Sequence, residues 1–228
     1  MLLSFDYEPY IAIIGDIRNS RLLADRKEIQ IKLGNVLDHI NREYAPSISA
    51  KFMITLGDEF QGLLCMGKDI IGIIEKIQGE MYPVQIRFGI GVGEITTDIN
   101  EAMAIGADGP GYYKARESIE ILKSSEQKNK TQTSDIRIGI DQDENSVSML
   151  LNTIFSLMEV IRRSWTDRQR EIIYEFEKHE MSQIECAKRL NITQSSVHRS
   201  LLNGNFYAYK SAKETVNNVL GEIGEAHV

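Results

Sequence analysis

Val84 to Glu94 (VQIRFGIGVGE) carries glycine at positions 89, 91 and 93, every second residue of a segment otherwise suited to a strand. Successive side chains of a strand point to opposite faces, so Gly89, Gly91 and Gly93 leave one face without side chains. Something must come close to that face, either a packed helix or a ligand.

The neighbouring segments supply the rest of a sheet. Tyr10 to Gly15 (YIAIIG) is a short apolar run read as a buried strand ending at Asp16. Ile29, Leu33, Val36, Leu37 and Ile40 recur at helical spacing, and Pro46 and Ser47 close that helix. Ile48 to Thr55 and Gln61 to Met66 read as strands joined through Leu56-Gly57-Asp58-Glu59-Phe60, a hairpin turning at Gly-Asp. Ile70, Ile73, Ile74 and Ile77 mark a second helix before the glycine strand. After the Gly106 to Gly111 turn, Tyr112 to Lys123 returns to helical spacing. Ser124 to Ser134 then reads as a polar loop and Asp135 to Ile140 as a last strand. The order βαββαβ predicts an α+β chain with a ferredoxin-like antiparallel sheet and helices on one face. Asp141 to Ser148 reads as a linker and Met149 to Arg163 as an apolar-rich connecting helix.

The last third has a different pattern. Thr166 reads as a helix cap, with Ile172, Ile173 and Phe176 as the apolar stripe that follows. Ser182 caps a second helix in a capping box with Glu185, its core contacts being Ile184, Ala187 and Leu190. Asn191-Ile192-Thr193 is a short turn, and Gln194 to Leu202 is a third helix anchored by Val197 and Leu201 and ended at Gly204. A small residue where two helices cross, with an apolar plug in the turn, separates a helix-turn-helix from an ordinary helical hairpin. A three-helix bundle used for protein contacts is the competing reading.

Charge is unevenly spread. The chain has a net charge of -7, yet residues 162–214 hold 10 Lys+Arg against 7 Asp+Glu, while the remainder holds 16 against 26. Only the C-terminal part therefore suits contact with a phosphate backbone. No apolar run approaches the length of a membrane span and the first ten residues lack signal-peptide features, so a cytoplasmic protein without a membrane partner is expected. Cys65 and Cys186 show no zinc spacing and read as buried small hydrophobes.

Two family resemblances follow from these residues. The string SQIECAKRLNITQSSVHRSL, with WTDRQREII before it, resembles the helix-turn-helix of sigma-factor region 4 and LuxR-type regulators. That resemblance implies DNA as a partner, with Thr193, Gln194, Ser195, Ser196, His198 and Arg199 presented to the major groove. Asp16-Ile17-Arg18-Asn19-Ser20, Gly57-Asp58, Arg87-Phe88-Gly89-Ile90 with Gly93-Glu94, and the Tyr112 to Arg116 helix start resemble the ordered motifs of class III nucleotide cyclases. Leu56 to Phe60 also resembles the hairpin of GGDEF diguanylate cyclases, with Leu56 in place of the first glycine. The whole chain resembles the bacterial SatD family.

Residue by residue, the cyclase resemblance implies Asp16 and Asp58 as ligands of Mg²⁺ or Mn²⁺, with the Ile17 carbonyl beside them. Arg116 falls on the arginine that neutralises charge on a phosphoryl group. Gly57, Glu59 and Lys114 join this expected catalytic and nucleotide-binding set. The base-selecting lysine falls on Ile54 and the ribose-orienting asparagine on Tyr112, both departures. Residues 1–143 are thus expected to form a cyclase-like palm, 144–163 a connecting helix and 164–228 the DNA-binding domain. Two functions stand side by side. One is a DNA-binding regulator whose palm senses a nucleoside triphosphate and a divalent metal; the other is a metal-dependent nucleotidyl cyclase controlled by its helix-turn-helix. A homodimer is expected through the connecting helix, where Leu150, Leu151, Ile154, Phe155, Leu157 and Met158 offer apolar surface.

Overall fold

Strand β1 (Tyr10–Ile17) is buried at every position but its first, as an uninterrupted apolar run requires when both faces of a sheet are covered. In the computed structural model, which describes residues 2–23, 25–129, 134–143, 146–178 and 181–224, it lies at the centre of a five-stranded sheet of order β2-β3-β1-β4-β5. Strands β2 (Ile48–Leu56) and β3 (Glu59–Leu64) form the expected hairpin, and β3 and β4 (Ile86–Gly93) flank β1 antiparallel. Strand β5 (Ile136–Ile140) runs parallel to β4, so the sheet is mixed rather than wholly antiparallel. A parallel pair needs a long crossover, and α3 (Pro110–Asn129) provides it.

Helices cover both faces of the sheet, not one. Ile11 and Ile13 point into the main core with α1 (Arg26–Glu43) and α2 (Ile70–Met81), whereas Ala12 and Ile14 point into a second core with Tyr112, Ala115 and Ile119 of α3. The glycine stripe explains the second layer. A Cβ on Gly93 would stand 2.8 Å from the Gly111 nitrogen, and one on Gly89 would lie 3.1 Å from the Ile119 nitrogen. One on Gly91 would overlap the Gly111 carbonyl. The bare face is therefore filled by the backbone of α3. That helix also continues through Ser124 to Asn129, which had been expected to be loop. Residues 130–133 of that loop, and 144–145 of the expected linker, lie outside the described residues.

Five helices follow the sheet, giving eight among the described residues: α4 (Ser146–Ser164), α5 (Asp167–Lys178), α6 (Gln183–Arg189), α7 (Gln194–Asn203) and α8 (Phe206–Gly221). Leu151, Phe155 and Met158 of α4 enter the same core as α1 and α2. Helix α8 returns to the sheet domain, where the Gly67 N–H donates to the Ile223 carbonyl at 3.0 Å. Between them, α5 to α7 pack around Ile172, Ile173, Cys186, Ala187, Val197 and Leu201, all buried. Ile184 was expected in that core but is 59% exposed; Cys186 takes its place. Cys65 is only partly buried. No helix among the described residues is long and apolar enough to cross a membrane.

Candidate functional site

The segments that carry the expected carboxylates are adjacent along their backbones. Asp16 is in register with Glu59, and the Ile17 N–H donates to the Asp58 carbonyl at 3.0 Å, tying the β2–β3 turn to the central strand. Gly57 permits that turn because it sits at φ 61, a left-handed conformation that costs a residue with a Cβ. Gln30 of α1 donates to the Gly57 carbonyl at 2.5 Å and holds the loop from outside. Asp58 accepts from the Ser20 hydroxyl.

Asp16 and Glu59 are already neutralised by the protein. One oxygen of Asp16 faces Arg87 Nη1 at 2.5 Å and the other Lys123 Nζ at 2.9 Å, while Glu59 faces Arg116 Nη1 at 2.5 Å. Arg116 and Lys123 lie seven residues apart on α3, two helical turns, so one face of that helix presents both cations to the sheet edge. Lys114 does not join them. It stands over Gly139 of β5, 3.8 Å from Glu117, while Arg116 reaches toward β3.

A divalent ion fits this edge only in part. Asp16 and Asp58 are the hard oxygen donors that Mg²⁺ prefers. Yet no group of three or more His, Cys, Asp or Glu among the described residues could hold a metal ion. Binding one would require Asp16 to exchange Lys123 or Arg87 for it. Lys123 is the easier partner to release, since Arg87 is also held by Glu126 through Nη2 at 2.5 Å and Nε at 3.1 Å.

This edge belongs to a larger charge network. Arg18, only 4% exposed, bonds Glu126 and, at 2.5 Å, Asp135. Asp135 meets Arg162 of α4 at 2.5 Å and Arg163 at 3.6 Å, and both arginines bond Glu159. Alternating charges thus run from Asp16 to the last turn of α4. Burial raises the Glu159 carboxyl above its ordinary pKa against the opposing pull of Arg162. Burial also opposes the charge on Arg162, but Glu159 and Asp135 outweigh it and raise that pKa. The one visible signal was the pair Arg162-Arg163 closing an otherwise apolar helix.

The second candidate is the α6–α7 pair. Ser182 accepts from the Glu185 N–H while Glu185 accepts from the Ser182 N–H, a complete capping box. Asn191 takes φ 51 in the turn, and the Ile192 N–H donates to the Ala187 carbonyl at 2.9 Å, closing α6 onto α7. Thr193 caps α7 by accepting from the Ser196 N–H at 3.1 Å. Val197 and Leu201 face inward, and Thr193, Gln194, Ser195, His198 and Arg199 are exposed, with Ser196 half-buried. Gln194 donates to Gln183 at 2.8 Å, which orients it across the two helices. Gly204 ends α7 at φ -81 rather than in a left-handed conformation. A Cβ there would stand 2.9 Å from the Ser200 carbonyl, and the Trp165 indole N–H donates to the Gly204 carbonyl at 2.6 Å.

Much of the positive excess in residues 162–214 is spent inside the molecule. Arg162 and Arg163 turn to Asp135 and Glu159, Arg189 pairs with Glu175 at 2.7 Å, and Lys213 binds Glu75 and Glu177. Lys188 of α6 and Arg199 of α7 are exposed.

A family model described as the SatD family matches residues 10–220. No curated protein matches the chain. Among solved structures, the crystal structure of a regulator of polyketide synthase expression from Bifidobacterium adolescentis is 13% identical, covering 96% of this chain and 87% of that one with a TM-score of 0.28.

Proposed function

Taking as premise that the chain belongs to the SatD family, we propose that it is a cytoplasmic DNA-binding regulator whose sheet domain senses a nucleoside triphosphate with a divalent metal. The observation that carries the DNA reading is α7: capped by Thr193, anchored on one side by Val197 and Leu201, and polar and exposed on the other. On this reading residues 164–228 are a helix-turn-helix domain of the sigma-factor region 4 or LuxR type. Gln194 and Arg199 face base edges, Ser195 and His198 face phosphates, and Thr193 and Ser196 hold the helix start.

Residues 1–143 are, on the same reading, a palm of the ferredoxin-like kind with a fifth strand added. Asp16 and Asp58 supply the carboxylates for Mg²⁺ or Mn²⁺, which neutralises the phosphates it bridges. Lys123, freed from Asp16, and the half-exposed Arg116 turn to the phosphates, with Gly57, Glu59 and the Ile17 carbonyl lining the edge. Ile54 and Tyr112 stand where the cyclase resemblance places the base-selecting lysine and the ribose-orienting asparagine, and these departures favour a sensor over a cyclase. Residues 144–163 link the two, and the exposed apolar face of α4, with Met149, Leu150, Leu157 and Val160 each more than 60% exposed, pairs with a second copy.

Two measurements test the two halves separately. Selection from a pool of random duplex DNA, followed by anisotropy titration at fixed salt, should yield a preferred site bound about tenfold more weakly by Arg199→Ala. Failure to enrich any sequence refutes the DNA reading. ATP or GTP with Mg²⁺ should bind in calorimetry, and Asp16→Asn/Asp58→Asn should abolish the metal dependence. Formation of a cyclic or linked nucleotide, read by mass spectrometry, would replace the sensor with the cyclase.

A further inference from the structure

The starts of three helices are tied together by side chains. Gln183 opens α6, Gln194 opens α7, and Tyr207 is the second residue of α8. Gln194 Nε2 donates to Gln183 Oε1 at 2.8 Å, and Gln183 Nε2 donates to the Tyr207 hydroxyl at 3.2 Å. The bonds form one directed chain, donors running from α7 to α6 to α8. Gln194 and Tyr207 are exposed and Gln183 is half-buried, so the chain lies at the surface.

Its far end is anchored. Asn205, at φ 49, turns the backbone from α7 into α8. The Tyr207 ring then packs edge-on against that of Phe206, itself 1% exposed, with centroids 5.5 Å apart. The Tyr207 hydroxyl accepts from the Gln183 amide nitrogen, which leaves the Gln183 amide oxygen for α7. An amide oxygen only accepts, so Gln194 must present its nitrogen there.

That constraint fixes what Gln194 has left to offer. A glutamine amide carries two N–H donors and one acceptor oxygen. With one N–H given to Gln183, Gln194 keeps one N–H and Oε1. Adenine alone among the four bases sets an acceptor, N7, beside a donor, the N6 amine, on its major-groove edge. Guanine sets two acceptors there, N7 and O6, and calls for two donors. An unrestrained glutamine could turn to supply both N–H groups; Gln194 does so only by giving up Gln183.

We infer that Gln194 reads adenine in the major groove, and that Gln183 and Tyr207 are positioning residues that set its preference for adenine over guanine. The inference rests on the reading of α7 as the DNA-recognition helix; it adds the base and two residues outside α7 that select it. A pre-set amide also loses less freedom when the base docks.

The test selects sites from random duplex DNA with the full chain and with Gln194→Ala; the position where the two preferences differ belongs to Gln194. Adenine is expected there, bound about tenfold more tightly than guanine in anisotropy titrations at fixed salt. Replacing it by 7-deazaadenine, whose N7 is a C–H, should weaken binding by the protein several-fold and leave Gln194→Ala unchanged. Gln183→Ala and Tyr207→Phe should each shrink the adenine-to-guanine ratio to about threefold or less. Because the readout is a ratio between two duplexes, a uniform loss of affinity cancels. Tyr207→Phe removes one oxygen only and serves if Gln183→Ala fails to fold. Another base at that position, an equal 7-deazaadenine loss in Gln194→Ala, or an unchanged ratio in the folded positioning variants would overturn the inference and leave the DNA reading standing. Failure to enrich any sequence would end both.

Discussion

Replacing Asp135 by Asn tests whether the charge network holds the sheet to α4. Asp135 is 5% exposed and is shared by Arg18, Arg162 and Arg163. Asparagine keeps the shape and one acceptor oxygen, so the change removes the charge and little else. Breaking a buried ion pair from one side costs about 3–5 kcal/mol, because the partner charge stays buried without compensation. The lower end applies here, since Arg162 and Arg163 keep Glu159, Arg18 keeps Glu126, and the Arg163 side chain is 34% exposed. Unfolding entropy scales to roughly 0.5 kcal/mol per degree for a chain of this length, so about 3 kcal/mol lowers Tm by about 6 °C. The assay is thermal unfolding followed by Trp165 fluorescence and far-ultraviolet circular dichroism. Both probes should move together, because the network crosses the junction that Trp165 occupies. A double-mutant cycle with Arg162→Gln should recover part of the loss, as the second change removes a stranded cation. A Tm shift within about 1 °C, or additive single effects, would refute the reasoning.

Gly91→Ala should cost about 3 kcal/mol in urea unfolding, because its Cβ has only the backbone of Gly111 and Ala115 to move; an unchanged midpoint would mean that α3 rides further from the sheet. Leu157→Asp should shift a dimer to monomer in analytical ultracentrifugation, and an unchanged sedimentation coefficient would remove α4 from the interface. The Asp143 carboxyl caps α4 by accepting from the Val147 and Ser148 N–H groups, and these bonds outweigh burial and hold its pKa below the ordinary value. Its contribution is complete above the unfolded pKa of about 3.9 and disappears as pH falls through the lower folded value. The stability gap between the protein and Asp143→Asn should therefore close in acid and persist at neutral pH.

The sheet was legible where periodicity was strong. The apolar run of β1 announced a buried strand, and the glycine stripe of β4 announced a close approach, though not whether helix or ligand made it. Sequence order alone suggested helices on one face. It could not reveal that α3 crosses to the other side, because that depends on β5 pairing parallel to β4. The loop assignment of Ser124 to Asn129 failed because a polar helix face reads like a loop when Arg87 and Arg18 answer its Glu126 from distant strands. Capping chemistry was local and hence readable at Ser182 and Glu185, which act on each other across three residues. Asp16 was readable as a carboxylate closing a strand, but its cations, Arg87 and Lys123, come from elements far along the chain and carry no local signal.

The backbone bond between Gly67 and Ile223 has a consequence for the order of assembly. A Cβ on Gly67 would strike the Leu220 carbonyl, and the Leu2 and Leu3 N–H groups donate to Glu222. Residues made early are therefore completed by residues made late. Long-range closure of this kind slows folding, since the intervening chain must be ordered before the contact repays its entropy. During synthesis the turn after β3 and the face of α2 would wait, uncovered, for α8 to arrive, and a chaperone that shields them would act most strongly in this interval.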